Sequence, residues 1–153
     1  MQALRIVVAS DHGGFTLKES LLRWLVSSGH ATRDLGTLDA EPCDYPDYAL
    51  LAAAAVAQGE AERGIIIDGA GIGSAIVANK LPGVRAAMCN DLYAARNSRA
   101  HNDANVLTLG ARVIGEGLAQ EIVKTWLETT FELRHGPRIE KILKLEQKLF
   151  GSF

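Results

Sequence analysis

Residues 64–73 read Gly64-Ile65-Ile66-Ile67-Asp68-Gly69-Ala70-Gly71-Ile72-Gly73. Three consecutive isoleucines with no polar alternation predict a strand buried on both faces. A carboxylate ends the strand, and three glycines in five residues then turn the chain into a helix that runs to 79 or 80. A strand, a glycine-rich turn and a helix in that order are one step of an alternating α/β chain.

The flanks repeat the step. Upstream, residues 4–9 predict a first strand. Gly13-Gly14 follows, then a helix over 15–28 whose apolar positions Phe15, Leu17, Leu21, Leu22 and Leu25 keep a helical period. Gly29 ends it, 31–35 form a weaker strand, and 44–48 turn into an alanine-rich helix over 49–58. Downstream, Pro82-Gly83 make a turn, 84–88 a fourth strand, 91–99 a short helix, 106–109 a fifth strand and 115–130 a long helix. A basic link over 134–138 leads to a last helix ending near 150, striped by Ile139, Ile142, Leu145 and Leu149. Five strands alternating with helices imply a parallel sheet covered on both faces, within a single domain over 1–153. The last stripe is free to pack on a second subunit instead of the chain's own sheet.

Composition excludes several classes. With 16 Lys+Arg against 18 Asp+Glu, a surface-wide nucleic-acid footprint is excluded. Cys43 and Cys89 are too few for a disulfide framework and lack metal-ligand spacing. Residues 1–10 do not read as a signal peptide, and the longest apolar stretch, 49–57, is well short of the ~20 residues that span a bilayer. The expectation is a cytoplasmic protein with neither nucleic-acid nor membrane partners.

In parallel sheets ligands bind beyond the carboxyl ends of the strands. Asp68 and the loop Gly69, Ala70, Gly71, Ile72, Gly73 lie at such an end, where backbone N–H groups can hold a phosphate or an oxyanion. The glycine spacing fits neither the dinucleotide fingerprint nor a P-loop, and a plain strand-to-helix turn is the alternative reading. Asp11 and His12 follow the first strand and suit proton transfer, although Asp11 equally suits a helix cap. His101 and Asn102 are placed in the link before the fifth strand, where His101 suits acid–base work or is an exposed loop residue. Arg112, Arg134 and Arg138 are phosphate candidates. The last two flank a Gly-Pro bend that aims both at one point, or they form a solvated basic bend. His30, Cys43 and Cys89 are read as structural or passive.

Taken together, Ser10-Asp11-His12-Gly13-Gly14-Phe15, Asp44-Tyr45-Pro46, Gly71-Ile72-Gly73, Ala78-Asn79-Lys80, Pro82-Gly83-Val84-Arg85, His101-Asn102-Asp103-Ala104-Asn105-Val106 and Arg134-His135 with Arg138-Ile139 resemble the type B ribose-5-phosphate isomerases. That family includes the galactose-6-phosphate isomerase subunits and the allose-6-phosphate isomerases. The resemblance covers nearly the whole chain. It implies a three-layer Rossmann-like fold and a homodimer, or a dimer of dimers, with sites shared between subunits and the C-terminal helix on the partner. It also implies aldose–ketose isomerisation of a phosphosugar without metal or cofactor. Carried over, it gives Asp11 and His101 to ring opening and the amides of residues 69–73 to the enediolate. Asn102 goes to the sugar oxygens, and Arg112, Arg134, Arg138, His12 and Tyr45 to the phosphate.

Two positions depart from the family pattern. Many members carry a Cys base where this chain has Asp68, and Thr or Ser where it has Ala70. Another branch places a Glu base at the position of Ser74. Asp at position 68 resembles the A-type subunit of galactose-6-phosphate isomerase, whose partner subunit keeps the Cys. A carboxylate is intrinsically a weaker base than a thiolate, with free values of about 3.9 and about 8.5, but carboxylates do deprotonate carbon beside a carbonyl. The expectation is therefore ribose 5-phosphate isomerisation with Asp68 as base, and Ser74, Asp11 or water serving the oxygens that Ala70 cannot. A tetrose 4-phosphate or hexose 6-phosphate substrate, or a binding subunit that needs a Cys-bearing partner, are the alternatives.

Overall fold

The computed structural model of the chain describes residues 2–151. Five strands, β1 (Arg5–Ser10), β2 (Ala31–Asp34), β3 (Arg63–Asp68), β4 (Ala86–Met88) and β5 (Val106–Gly110), form one parallel sheet in the order β2-β1-β3-β5-β4. The isoleucine run is the middle strand, with Ile65 opposite Val8 on one side and Leu107 on the other. Alternate side chains divide it between two layers. Ile65 and Ile67 join Leu21, Leu25, Ile122 and Trp126 of α1 (Phe15–Ser27) and α5 (Glu116–Glu128). Ile66 joins Ala49, Ala52, Ala53 and Val56 of α2 (Tyr45–Ala57) and Ala78 of α3 (Ile72–Ala78). The small alanines let α2 lie close to the sheet.

Three segments differ from the sequence expectation. The second helix begins at Tyr45, not 49, because Pro46 occupies its first turn, where a missing N–H costs nothing. α4 (Leu92–Asn102) runs past residue 99, so His101 and Asn102 sit on its last turn and not in a link. Asp103 ends that helix in the left-handed conformation at φ 46°, and its carboxylate reaches back to Arg99 at 2.7 Å, four residues earlier. The expected Gly-Pro bend is also absent. Residues Leu133–His135 make a 3₁₀ turn, and Gly136 and Pro137 open α6 (Gly136–Phe150).

α6 adds no residue to either core layer among the described residues. Ile139 is buried, while Ile142, Leu143, Leu145, Leu149 and Phe150 are exposed. Glu146 ties the helix back by accepting the N–H of Gly83 at 3.0 Å. Among the described residues no helix is long and apolar enough to cross a membrane.

Candidate active site

β3 and β5 end side by side, with Asp68 opposite Gly110. The Ala111 N–H donates to the Asp68 carbonyl at 2.8 Å and the Arg112 N–H to the Gly69 carbonyl at 3.0 Å, which fastens Arg112 beside the glycine loop. The loop turns at Gly71, whose φ of +79° strains any residue with a Cβ. The Thr108 hydroxyl holds the Gly71 carbonyl at 2.6 Å from below.

Asp68 is buried, and its carboxylate is turned into this loop. Oδ1 accepts the N–H of Ala70 at 3.0 Å and that of Gly71, and Oδ2 accepts the N–H and the hydroxyl of Ser74 at 2.9 and 2.6 Å. Two of the amides expected as oxyanion donors, those of Ala70 and Gly71, thus serve an anion already, one supplied by the chain itself.

Around the loop stand the other residues from the strand ends. Asp11 caps the turn His12–Gly14, accepting the Gly14 N–H at 3.0 Å, and its own N–H donates to Ile67 at 3.3 Å. The helix-cap reading of Asp11 is therefore satisfied in the resting chain. His12 is exposed, with Nδ1 at 3.1 Å from both the N–H and the carbonyl oxygen of Cys43. Nδ1 accepts from the N–H in one tautomer of the ring and donates to the carbonyl in the other. The Tyr45 ring lies against Gly73 so closely that a Cβ there would collide with it. The Arg112 guanidinium is exposed and makes no ion pair among the described residues.

The remaining candidates gather elsewhere. α4 runs back along the sheet, so its last turn lies at the start of β5, opposite the end that carries Asp68. There the His101 ring stacks on the His135 ring, centroids 4.1 Å apart and 30° between planes. Asn97 pairs with His101 Nδ1 at 3.1 Å, and the Glu132 N–H donates to the Ala100 carbonyl at 2.9 Å, drawing the Leu133–His135 turn onto the helix end. Arg138 Nη1 contacts His135 Nδ1, and Arg134 pairs with Glu132 at 2.7 Å. Asn102 is exposed beside them.

A profile described as Ribose/Galactose Isomerase matches residues 6–142. The chain belongs to the ribose/galactose isomerase family. It is 46% identical over 145 residues to ribose-5-phosphate isomerase B of Escherichia coli, covering 94% of this chain and 97% of that one. It is 42% identical over 141 residues to D-erythrulose-4-phosphate isomerase of Pectobacterium atrosepticum, covering 91% and 93%. Among solved structures, ribose-5-phosphate isomerase B of Clostridium thermocellum superposes with a TM-score of 0.92 at 49% identity, covering 95% of this chain and 99% of that one.

Within this family member the candidate residues form two groups, not one. Asp11, His12, Tyr45, the loop 69–74 and Arg112 meet at the carboxyl ends of the strands. His101, Asn102, Arg134 and Arg138 meet at the other end. Arg134 and Arg138 flank the start of α6 and not a bend, and both stand beside His135. Arg134 is engaged by Glu132 and Arg138 by His135.

His135, to which the sequence reading gave no site role, belongs to the second group. It is buried, and its Nε2 has no hydrogen-bond partner. Its proximity to His101 depends on α4 extending to residue 102, and only an i,i+4 pairing of Arg99 with Asp103 in the sequence hinted at that extension. Burial, with the nearby His101, Arg134 and Arg138, holds the His135 imidazole below its ordinary value. The hydrogen bond from Arg134 holds Glu132 below the usual carboxylate range.

The ligand atoms of His101, Glu132 and His135 lie within 4.8 Å of one another, a set that could hold a cation. Arg134 neutralises the carboxylate and Arg138 stands on His135, so the local field favours an anion.

Proposed function

We propose that this chain interconverts the aldose and ketose forms of a phosphosugar, with ribose 5-phosphate and ribulose 5-phosphate as the leading pair. The observation that carries the reading is the division of the site. One group offers a carboxylate, oxyanion donors and a free guanidinium, and the other offers imidazoles and two guanidiniums. Neither group suffices alone, and together they supply what an enediol isomerisation asks. A second copy of the chain brings the missing half, and the uncovered apolar side of α6 is the surface that seats it.

Isomerisation removes the proton from C2 of the open aldose and returns it to C1, while a hydroxyl proton moves from O2 to O1. Asp11 and His101 of the neighbouring copy serve ring opening by moving the hemiacetal proton. Arg112, His12 and Tyr45, with Arg134 and Arg138 of the neighbouring copy, hold the phosphate, and Asn102 of the neighbouring copy borders the sugar. Proton transfer and charge stabilisation are within reach of these groups without a metal or cofactor. Asp68 takes the carbon-bound proton once a sugar oxygen replaces Oδ1 on the Ala70 and Gly71 amides. The donors that hold the carboxylate in the resting chain then hold the enediolate oxygen.

The closed hydrogen bonding of Asp68 favours a second reading. If the carboxylate stays in the loop, the chain is a phosphosugar-binding subunit that turns over only beside a Cys-bearing paralogue. Assay of the purified protein against ribose 5-phosphate, erythrulose 4-phosphate and the hexose 6-phosphates separates the two. Turnover that Asp68→Asn abolishes supports the first. Full turnover in Asp68→Asn moves the base elsewhere. Saturable binding without turnover supports the second.

A further inference from the structure

At the end of the sheet away from the glycine loop, β3 opens with Arg63, and the last turns of α4 carry Arg99. Their guanidinium carbons each stand 6.0 Å from the ring centre of Trp126. With Leu4, Leu127, Thr130 and Phe131 they line a cavity of about 320 Å³.

The charges here do not balance. Arg99, 5% exposed, donates through Nη1 to Asp103 and to the Ala104 carbonyl, each at 2.7 Å. Asp103 is shared with Arg85 at 3.2 Å. Glu62 is turned to the Arg5 N–H at 3.0 Å and to its guanidinium at 3.7 Å. Arg63 is left with no carboxylate at ion-pair distance among the described residues, and its Nη1 reaches the Glu62 carbonyl at 2.8 Å. The Nε atoms of Arg63 and Arg99 and the indole nitrogen of Trp126 are buried without a hydrogen-bond partner. Buried charges and donors are ordinarily matched. Burial, then the charge of Arg99, lower the Arg63 guanidinium from its ordinary value, and the more distant Asp103 and Glu62 offset this only in part.

We propose that this cavity is an anion site separate from the glycine loop, taking a phosphate group, free or carried on a small metabolite. The planar fork of an arginine matches two phosphate oxygens at once. The volume exceeds what a bare phosphate fills, and Leu4, Leu127 and Phe131 offer an apolar wall to the organic remainder. The site is independent of the isomerase reading, since neither Arg63 nor Arg99 belongs to the groups assigned to the sugar.

The buried Trp126 does not line the cavity, but both of the cavity's guanidiniums stand against its ring, so its indole N–H senses a ligand through them; its resonance in a ¹⁵N-labelled sample is assigned with a Trp24→Phe variant. The whole protein is titrated with inorganic phosphate, with ribose 5-phosphate, and with chloride at matched ionic strength. The expected result is a saturable Trp126 shift with inorganic phosphate that survives Arg134→Gln and weakens about tenfold or more in Arg63→Gln, given the strength of charge-assisted hydrogen bonds. Arg63→Lys keeps the charge without the fork and guards against misfolding of the first variant. It should retain a weakened shift. Tighter binding of ribose 5-phosphate than of inorganic phosphate assigns the site to a metabolite, and the reverse to the free ion. The proposal fails if Trp126 does not move, if chloride reproduces the shift, or if the shift is unchanged in both Arg63 variants.

Discussion

The carboxylate of Asp68, at the end of β3, and the hydroxyl of Ser74, in the first turn of α3, are joined at 2.6 Å across the glycine loop. With the Ser74 N–H on the same oxygen, this pair closes the glycine loop on itself. Any chemistry assigned to Asp68 has to begin by opening it.

Replacing Ser74 by Ala removes the hydroxyl and leaves the backbone donor. The loss should be about 1 kcal/mol of stability, read as a lower thermal midpoint. Turnover should be held or raised, because the carboxylate is less firmly retained. Asp68→Asn sets an amide NH₂ against backbone donors and should cost about 1–3 kcal/mol. A variant with unchanged melting would mean that the loop does not depend on this carboxylate.

If the site is shared between copies, two inactive variants should repair each other. Asp68→Asn spoils the glycine-loop half and Arg138→Gln spoils the other. Equal mixtures refolded together form mixed pairs in which one of two sites is intact, for about a quarter of the normal turnover. Mixtures no better than either variant alone would place the whole site within one chain.

Stability should fall on mild acidification. The His135 imidazole is held below its ordinary value in the folded chain, so between that lowered value and about 6.5 the unfolded chain binds more protons. Its contribution is complete above about pH 6.5 and is lost as pH falls through this window. Glu132, also lowered, adds a second loss below its free value near 4.3. Denaturant midpoints from pH 8 to 4 check this, and His135→Gln should flatten the upper part of the curve.

The two thiols should differ sharply. Cys89 is buried and its thiol is pushed up to about 11. Cys43 is half-buried at the rim beside His12. A thiol reagent at pH 8 should label Cys43 in the folded protein and reach Cys89 only after unfolding, with bound phosphosugar slowing the first reaction.

Much of this architecture was legible because it is written locally. The isoleucine run, the glycine turn and the alanine helix each have one comfortable conformation, and their order leaves a parallel sheet as the solution. The strand-end position of Asp68 and Arg112 follows from the same alternation. What a side chain does with its hydrogen bonds was not legible. Asp68 sits where the sequence places a base, yet Ala70, Gly71 and Ser74 claim its oxygens, a three-dimensional outcome of where the loop amides point. His101 was misplaced for a related reason. Nothing in Ala100-His101-Asn102 announces helix, and the extension depends on Arg99 meeting Asp103 and Ala104 beyond the last turn.

The two residue groups lie at opposite ends of β5, and if one site is completed only across two copies, a quantitative corollary follows for the cell. Such a catalyst would lose output faster than protein once chain concentration fell toward the dissociation constant of the pair. Partial silencing of the gene in that range would depress flux more than in proportion to the number of molecules lost.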